Sequence, residues 1–224
     1  MSGGDRRDGD VLLATCRDVL TVALVCDALD GLDVRQQAMS PTIRPIQPGT
    51  RLVGRARTVE VRATASIPAS PYAGEMAAIE ALQDGDVPVY RVENNVRAAL
   101  FGELFGLAAR SRGAVGAIVD GFVRDVRQLR DLAYPVFARG VSPYDTLGRA
   151  EAVAHDVPVV CGGVPVTSGD LIVADDDGVV VVPQAHVRAV VDTVTEKVTK
   201  ERGARNDLLD GATVREVWNT WHVF

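Results

Sequence analysis

Hydrophobic and polar positions alternate in two rhythms along the chain. In "DVLLATCRDVLTVALVCDALDGLD", Leu12, Leu13, Leu20, Leu24 and Leu29 recur at near-helical intervals. This spacing predicts one or two helices from Val11 to about Leu29, with Gly31 as the stop. "SPTIRPIQPG" carries three prolines in ten residues and reads as extended loop. "TRLVGRARTVEVRAT" sets Leu52, Val59 and Val61 among polar residues and reads as a strand or two, with Gly54 at a bulge or close approach. Further on, "YAGEMAAIEALQDGD" predicts a short helix ended by Gly85, and "VPVYRVE" a strand. "FGELFGLAARSRG" predicts a helix stopped by Gly113, followed by the strand "AVGAIVDG", the helix "DVRQLRDLA" and the strand "YPVFARGV".

Strand and helix alternate through this middle part, which implies crossover units and a partly parallel sheet. "VPVVCGGVPVTSGDLIVADDDGVVVVP" breaks into short β-rich runs, expected as a small meander closing a barrel or forming a second sheet. The tail, from "AHVRAVV" to "VWNTW", predicts one long helix and one short one. No internal repeat or linker interrupts the pattern. The expectation is therefore an α/β chain with residues 11–224 as one domain and residues 1–10, "MSGGDRRDGD", as a disordered lead-in.

Composition narrows the function classes. Of 224 residues, 47% are hydrophobic, enough for a sizeable core. The net charge is −6 and cations are not clustered, which argues against nucleic-acid binding. No apolar run approaches the roughly 20 residues of a membrane span, and no apolar signal core opens the chain, so a cytoplasmic location is expected. Cys16, Cys26 and Cys161 show no metal-binding spacing and read as buried thiols in a reducing compartment.

Two segments carry candidate chemistry. In "FGELFG", Gly102 precedes a helix and Glu103 sits in its first turn. The free amides there attract an anion, so a carboxylate could rest against Leu104 and Phe105. The alternative is that Glu103 only complements the helix dipole. In "AIVDGFVRDV", Asp120 ends a strand, and Arg124 and Asp125 overhang the same edge, where crossover folds gather ligands. Arg124 offers a planar fork for a carboxylate, and Asp125 a hard oxygen for Mg²⁺ or Mn²⁺. The competing reading makes Asp120 a turn residue and Arg124 with Asp125 a solvated charge pair.

Other motifs point elsewhere less well. His155, His186 and His222 lack HxH or HExxH spacing. Ser142 lacks a GxSxG context, "GGVPVTSGD" lacks GK[ST], and "DDDG" reads as a tight turn rather than a calcium loop. Lys197 and Lys200 are the only lysines, both in a solvent-like helix, so a Schiff-base route is poorly served.

Taken together, "GELFGLAARSRGAVGAIVDGFVRDVRQLRDLAYPVFARGVSP" resembles the RraA-like family, which includes divalent-metal 4-hydroxy-4-methyl-2-oxoglutarate aldolases. "CDALDGL", "IRPIQPGTRLVGRARTV" and "SGDLIVADDDGVVVVP" extend the resemblance over most of the chain. The resemblance implies a swivelling β/β/α-type layered domain with C-terminal helices, assembled as a homotrimer or a hexamer of paired trimers with sites between subunits. It implies that Asp125 holds the metal, that Arg124 contacts substrate, and that Glu103 orders metal-bound water. The amides after Glu103 would hold a pyruvyl carboxylate, and Glu201 of a neighbouring subunit, or failing that Glu196, would approach the metal. The expected activity is cleavage of a C–C bond in a pyruvate-derived α-keto acid, by retro-aldol reaction or oxaloacetate decarboxylation. One branch of the family instead inhibits a ribonuclease by binding it. Its R-D pair is not kept whole, whereas Arg124 and Asp125 are both present here.

Overall fold

The computed structural model describes residues 19–93 and 96–224. The expected lead-in, the start of the first helix and Cys16 lie outside the described residues. Helix α1 (Val22–Gly31) begins where the Thr21 hydroxyl accepts from the Leu24 amide. It is followed by β1 (Arg44–Pro45), β2 (Leu52–Ala63), α2 (Ala73–Glu80), β3 (Asp86–Val92), β4 (Ala99–Phe101) and α3 (Glu103–Ser111). Next come β5 (Ala117–Val123), α4 (Val126–Asp131), β6 (Val136–Val141), β7 (Ala150–His155), β8 (Val159–Cys161) and β9 (Val164–Val166). The chain ends with β10 (Leu171–Asp175), β11 (Gly178–Val182), α5 (Val187–Leu209) and α6 (Val214–Trp221).

A mixed sheet runs in the order β1-β6-β5-β3-β2-β10-β11, with β4 added to the end of β5 and β7 to the end of β2. The centre is parallel, β2 to β3 to β5 to β6, as the crossover pattern requires. The outer pairings, β1 with β6 and β2 with β10, are antiparallel, as are β10 and β11. The segment between α1 and β1 nearly closes this sheet into a barrel. At β11 the Met39 amide donates to the Val179 carbonyl and the Val181 amide to that of Gln37. At the other edge the Ile46 amide donates to the Val136 carbonyl. Both outer edges are thereby partly covered. The β-rich stretch before α5 forms two hairpins. One is the separate pair β8-β9; the other, β10-β11, turns at "DDDG" and joins the main sheet.

Side chains along the strands separate the layers by parity. Val179 and Val181 of β11 point into the interior cluster with Ile118, Phe137 and Ile172. Val180 and Val182 pack outward against α1 and α5. In β5, Ala117 and Val119 face the helical layer, whereas Ile118 faces the interior. Asp120 shares the parity of Ile118 and is buried. One of its oxygens pairs with Arg139 Nε, and the other accepts from the Gly162 amide at 2.8 Å. Asp120 was expected among the substrate-binding residues; its side chain is on the inner face of the sheet, where both oxygens have protein partners. It clamps the β8-β9 turn to the central strand.

Asp120→Ala should therefore lower unfolding free energy by about 2–4 kcal/mol, since it strands a cation and a buried amide. Asp120→Asn, which keeps an acceptor, should lose less. Urea denaturation measures both, and a change below about 0.5 kcal/mol for the alanine variant would contradict the clamp.

Candidate active site

The site is built where β4 and β5 end side by side. The two strands are parallel, and the Arg124 amide donates to the Phe101 carbonyl at 3.0 Å, tying the chain after β5 to the end of β4. Gly102 then caps α3, and Asp125 caps α4. Asp125 adopts a left-handed backbone conformation, φ 55°, which aspartate tolerates better than most residues. That turn brings its Oδ2 within 3.2 Å of the Glu103 amide, which donates to it. A Cβ on Gly102 would stand 2.6 Å from Asp125 Oδ2 and 3.1 Å from Arg124 Cγ, so the close approach requires glycine.

A cavity of about 360 Å³ opens over these ends. Gly102, Leu104, Phe105, Arg124 and Asp125 line it, together with Leu100, Phe101, Tyr72, Met76 and Asp145. The amides of Leu104 and Phe105 lie in the first turn of α3 and have no carbonyl within the helix to bind. They and the Arg124 guanidinium form a donor set suited to a carboxylate, beside apolar walls. Among the described residues no hydrogen bond engages Asp125 Oδ1. A half-exposed carboxylate oxygen of this kind fits Mg²⁺ or Mn²⁺, which bind through few protein ligands and keep several waters. Among the described residues there is no group of three or more His, Cys, Asp or Glu placed to hold a metal.

Asp145, from the loop after β6, has a structured environment. Its Oδ1 accepts from the Tyr72 hydroxyl at 2.7 Å and from the Leu147 amide at 2.8 Å, and its Oδ2 pairs with Arg124 Nη1 at 2.8 Å. Partial burial pushes its pKa up, but the Leu147 amide, the Tyr72 hydroxyl and Arg124 outweigh that and hold the carboxyl below the usual range. Tyr72 opens α2 with φ 61°. Behind it, Gly74 lets α2 press on β7, since a Cβ there would meet the Ala152 carbonyl oxygen at 1.9 Å. Glu75, buried in the same turn, has its carboxyl pushed above the ordinary range by burial.

Of the residues expected to act, Gly102, Leu104, Phe105, Arg124 and Asp125 converge on one cavity, and Glu103 adjoins it through its amide. Asp120 is not among the residues that line it. Within one chain, Glu201 lies on α5 beside Lys197, and Glu196 pairs with Lys200, both away from the cavity lining. Neither lysine nor any of the three histidines lines it. Tyr72 and Asp145 were missed. The available signal was that "SPYD" follows a third parallel strand, β6, so its loop overhangs the same edge as "FGEL" and "VRDV".

The family model RraA-like, described as Aldolase/RraA, matches residues 22–181, which span α1 through β11 and the whole cavity. A Halalkalibacterium halodurans protein provisionally named 4-hydroxy-4-methyl-2-oxoglutarate aldolase is 31% identical, over 85% of this chain and 86% of its own length. An uncharacterized Pseudomonas syringae pv. tomato protein of solved structure superposes with TM-score 0.84 at 29% identity, covering 95% of this chain and 94% of its own. Streptomyces coelicolor RraAS2, described as an unusual member of the RNase ES inhibitor RraA protein family, superposes with TM-score 0.78 at 30% identity, covering 87% and 95%.

Gly102→Ala should disable whatever ligand chemistry the cavity performs, because the added methyl displaces Asp125 and Arg124 together. Substrate turnover and Mn²⁺ binding should both fall by about tenfold or more, with the melting temperature changed by only a few degrees. Unchanged cation binding would show that the Gly102–Asp125 approach is not needed.

Proposed function

The chain belongs to the RraA-like family, and from that membership we propose that it is a divalent-metal-dependent lyase cleaving a C–C bond of a pyruvate-derived α-keto acid. The observation that carries this reading is the convergence of Arg124, Asp125 and the first amides of α3 on one cavity at the strand ends. The aldolase name of the Halalkalibacterium halodurans relative supports it.

Asp125 is the residue that would hold Mg²⁺ or Mn²⁺, and when bound the ion supplies Lewis-acid polarisation of the keto group. The Leu104 and Phe105 amides and the Arg124 fork orient the keto acid by its carboxylate. Arg124 also stabilises the negative charge that reaches the keto oxygen as the bond breaks. In a retro-aldol cleavage the substrate hydroxyl would lose its proton to a water at the site, its oxygen would become the carbonyl of the departing fragment, and the electron pair of the broken C–C bond would form the pyruvate enolate, which takes a proton from water to give pyruvate. In oxaloacetate decarboxylation CO₂ leaves and the same enolate results. Glu103 is assigned to ordering a water at this site. An amine nucleophile is poorly served, since Lys197 pairs with Asp27 and Lys200 with Glu196 on α5. The reading includes a cytoplasmic homotrimer or hexamer in which Glu201, or Glu196, approaches a neighbouring subunit's site.

The likeness to Streptomyces coelicolor RraAS2 favours a second reading, a regulator that binds and inhibits a ribonuclease without catalysis. Metal dependence separates the two. Pyruvate release from oxaloacetate or 4-hydroxy-4-methyl-2-oxoglutarate should require Mg²⁺ or Mn²⁺. Asp125→Ala should abolish it, and Arg124→Ala should slow it by about 10²–10³-fold. Folded wild-type protein silent on both substrates in excess metal would overturn the lyase reading, and near-normal turnover in either variant would overturn the role of that residue.

A further inference from the structure

Arg124 stands between two carboxylates, and the distances to them differ. Its Nη1 is 2.8 Å from Asp145 Oδ2, a hydrogen-bonded ion pair. Its Nε is 3.7 Å from Asp125 Oδ2, a looser ion pair beyond hydrogen-bond range. Asp145 is itself held: the Tyr72 hydroxyl and the Leu147 amide both donate to its Oδ1. Both of its oxygens are committed to the protein. Among the described residues Asp125 is engaged through Oδ2, which accepts from the Glu103 amide and carries the looser Arg124 pair, and Oδ1 takes no hydrogen bond. The two acids beside one arginine therefore have different environments, one saturated and one open.

We propose that Asp145, fixed by Tyr72, is a positioning residue that keeps Arg124 from closing into a hydrogen-bonded pair with Asp125 and so keeps the Asp125 carboxylate available to a divalent cation. The inference deepens the lyase reading and rests on its assignment of the cation to Asp125. Arg124 and Asp125 are consecutive, so a rotation about the arginine side chain is enough to bring the guanidinium onto the neighbouring carboxylate. There it would neutralise the charge a cation needs and occupy one of its oxygens. Asp145 opposes this by offering a nearer anion, which Arg124 already hydrogen-bonds. Arg124 lines the cavity while it makes this contact. Tyr72 acts one step further back. Its left-handed backbone and the close packing of Gly74 on β7 set where its hydroxyl lies.

Mn²⁺ binding, followed by the electron paramagnetic resonance of the free ion, tests this on the full chain without reference to turnover. The set is wild type, Asp145→Asn, Tyr72→Phe, Arg124→Gln and the double variant Asp145→Asn with Arg124→Gln. Asp145→Asn should weaken Mn²⁺ binding by about tenfold in the wild-type background and by less than about twofold in the Arg124→Gln background. Tyr72→Phe leaves every charge in place and should shift affinity in the same direction by a smaller factor, which keeps the proposal testable if Asp145→Asn folds poorly. Equal losses in both backgrounds would mean that Asp145 acts on the cation directly, and would overturn the proposal. Wild-type affinity in both Asp145→Asn and Tyr72→Phe would overturn it as well. A wild-type chain that takes up no Mn²⁺ overturns this proposal and the metal assignment together. Uptake with the expected pattern, but without pyruvate release, supports the positioning role while removing the lyase reading.

Discussion

The site depends on the way two parallel strand ends are fastened to each other. The Phe101 carbonyl accepts from the Arg124 amide, and the Asp125 carboxylate accepts from the Glu103 amide. These two bonds cross the gap between β4 and β5 in opposite senses. They fix the start of α3 against the start of α4, so that a helix amino end, a guanidinium and a carboxylate face one volume. The fastening works only because Asp125 accepts a left-handed backbone and Gly102 has no side chain to intrude. Both requirements are local, and both are written in the short "FGE" and "VRD" segments.

The surrounding fold gives that junction a rigid support. The parallel centre of the sheet places the carboxyl ends of β4, β5 and β6 along one edge, and the loop after β6 delivers Asp145 to the same edge. The near-closed barrel behind it is filled mainly by valines and isoleucines, with Leu52 and Phe137 among them, so a shift of register would expose apolar side chains. Asp120 contributes to this support from inside the barrel, where it binds the β8-β9 turn. Arg124 and Asp125, just beyond the end of the strand, line the cavity on the outside. The division follows from parity along β5 and from the irregularity between Val119 and Phe122.

Much of this was legible in the residues. The crossover pattern predicted a parallel centre, the glycine and aspartate turns predicted the hairpins, and the two terminal helices appear where the apolar spacing put them. The sequence placed "FGEL" at a helix start and "VRDV" at a strand end, whereas the short strand β4 that sets the two side by side was not predicted. Three further things were not legible. The side of the sheet on which Asp120 falls depends on strand parity, which an apolar run with a glycine does not define. The pairing of Tyr72 with Asp145 joins residues 73 positions apart through loops whose paths no periodicity encodes. The place of Glu201 concerns a neighbouring subunit, and one chain's sequence and coordinates do not specify how copies meet.

A crystal structure of the chain with Mg²⁺ and pyruvate tests the central claim most directly. The expected result is the cation on Asp125, with the pyruvate carboxylate against the Leu104 and Phe105 amides, Arg124 reaching the ligand while still paired with Asp145. A cation on Asp145, or pyruvate bound away from the α3 amino end, would contradict it.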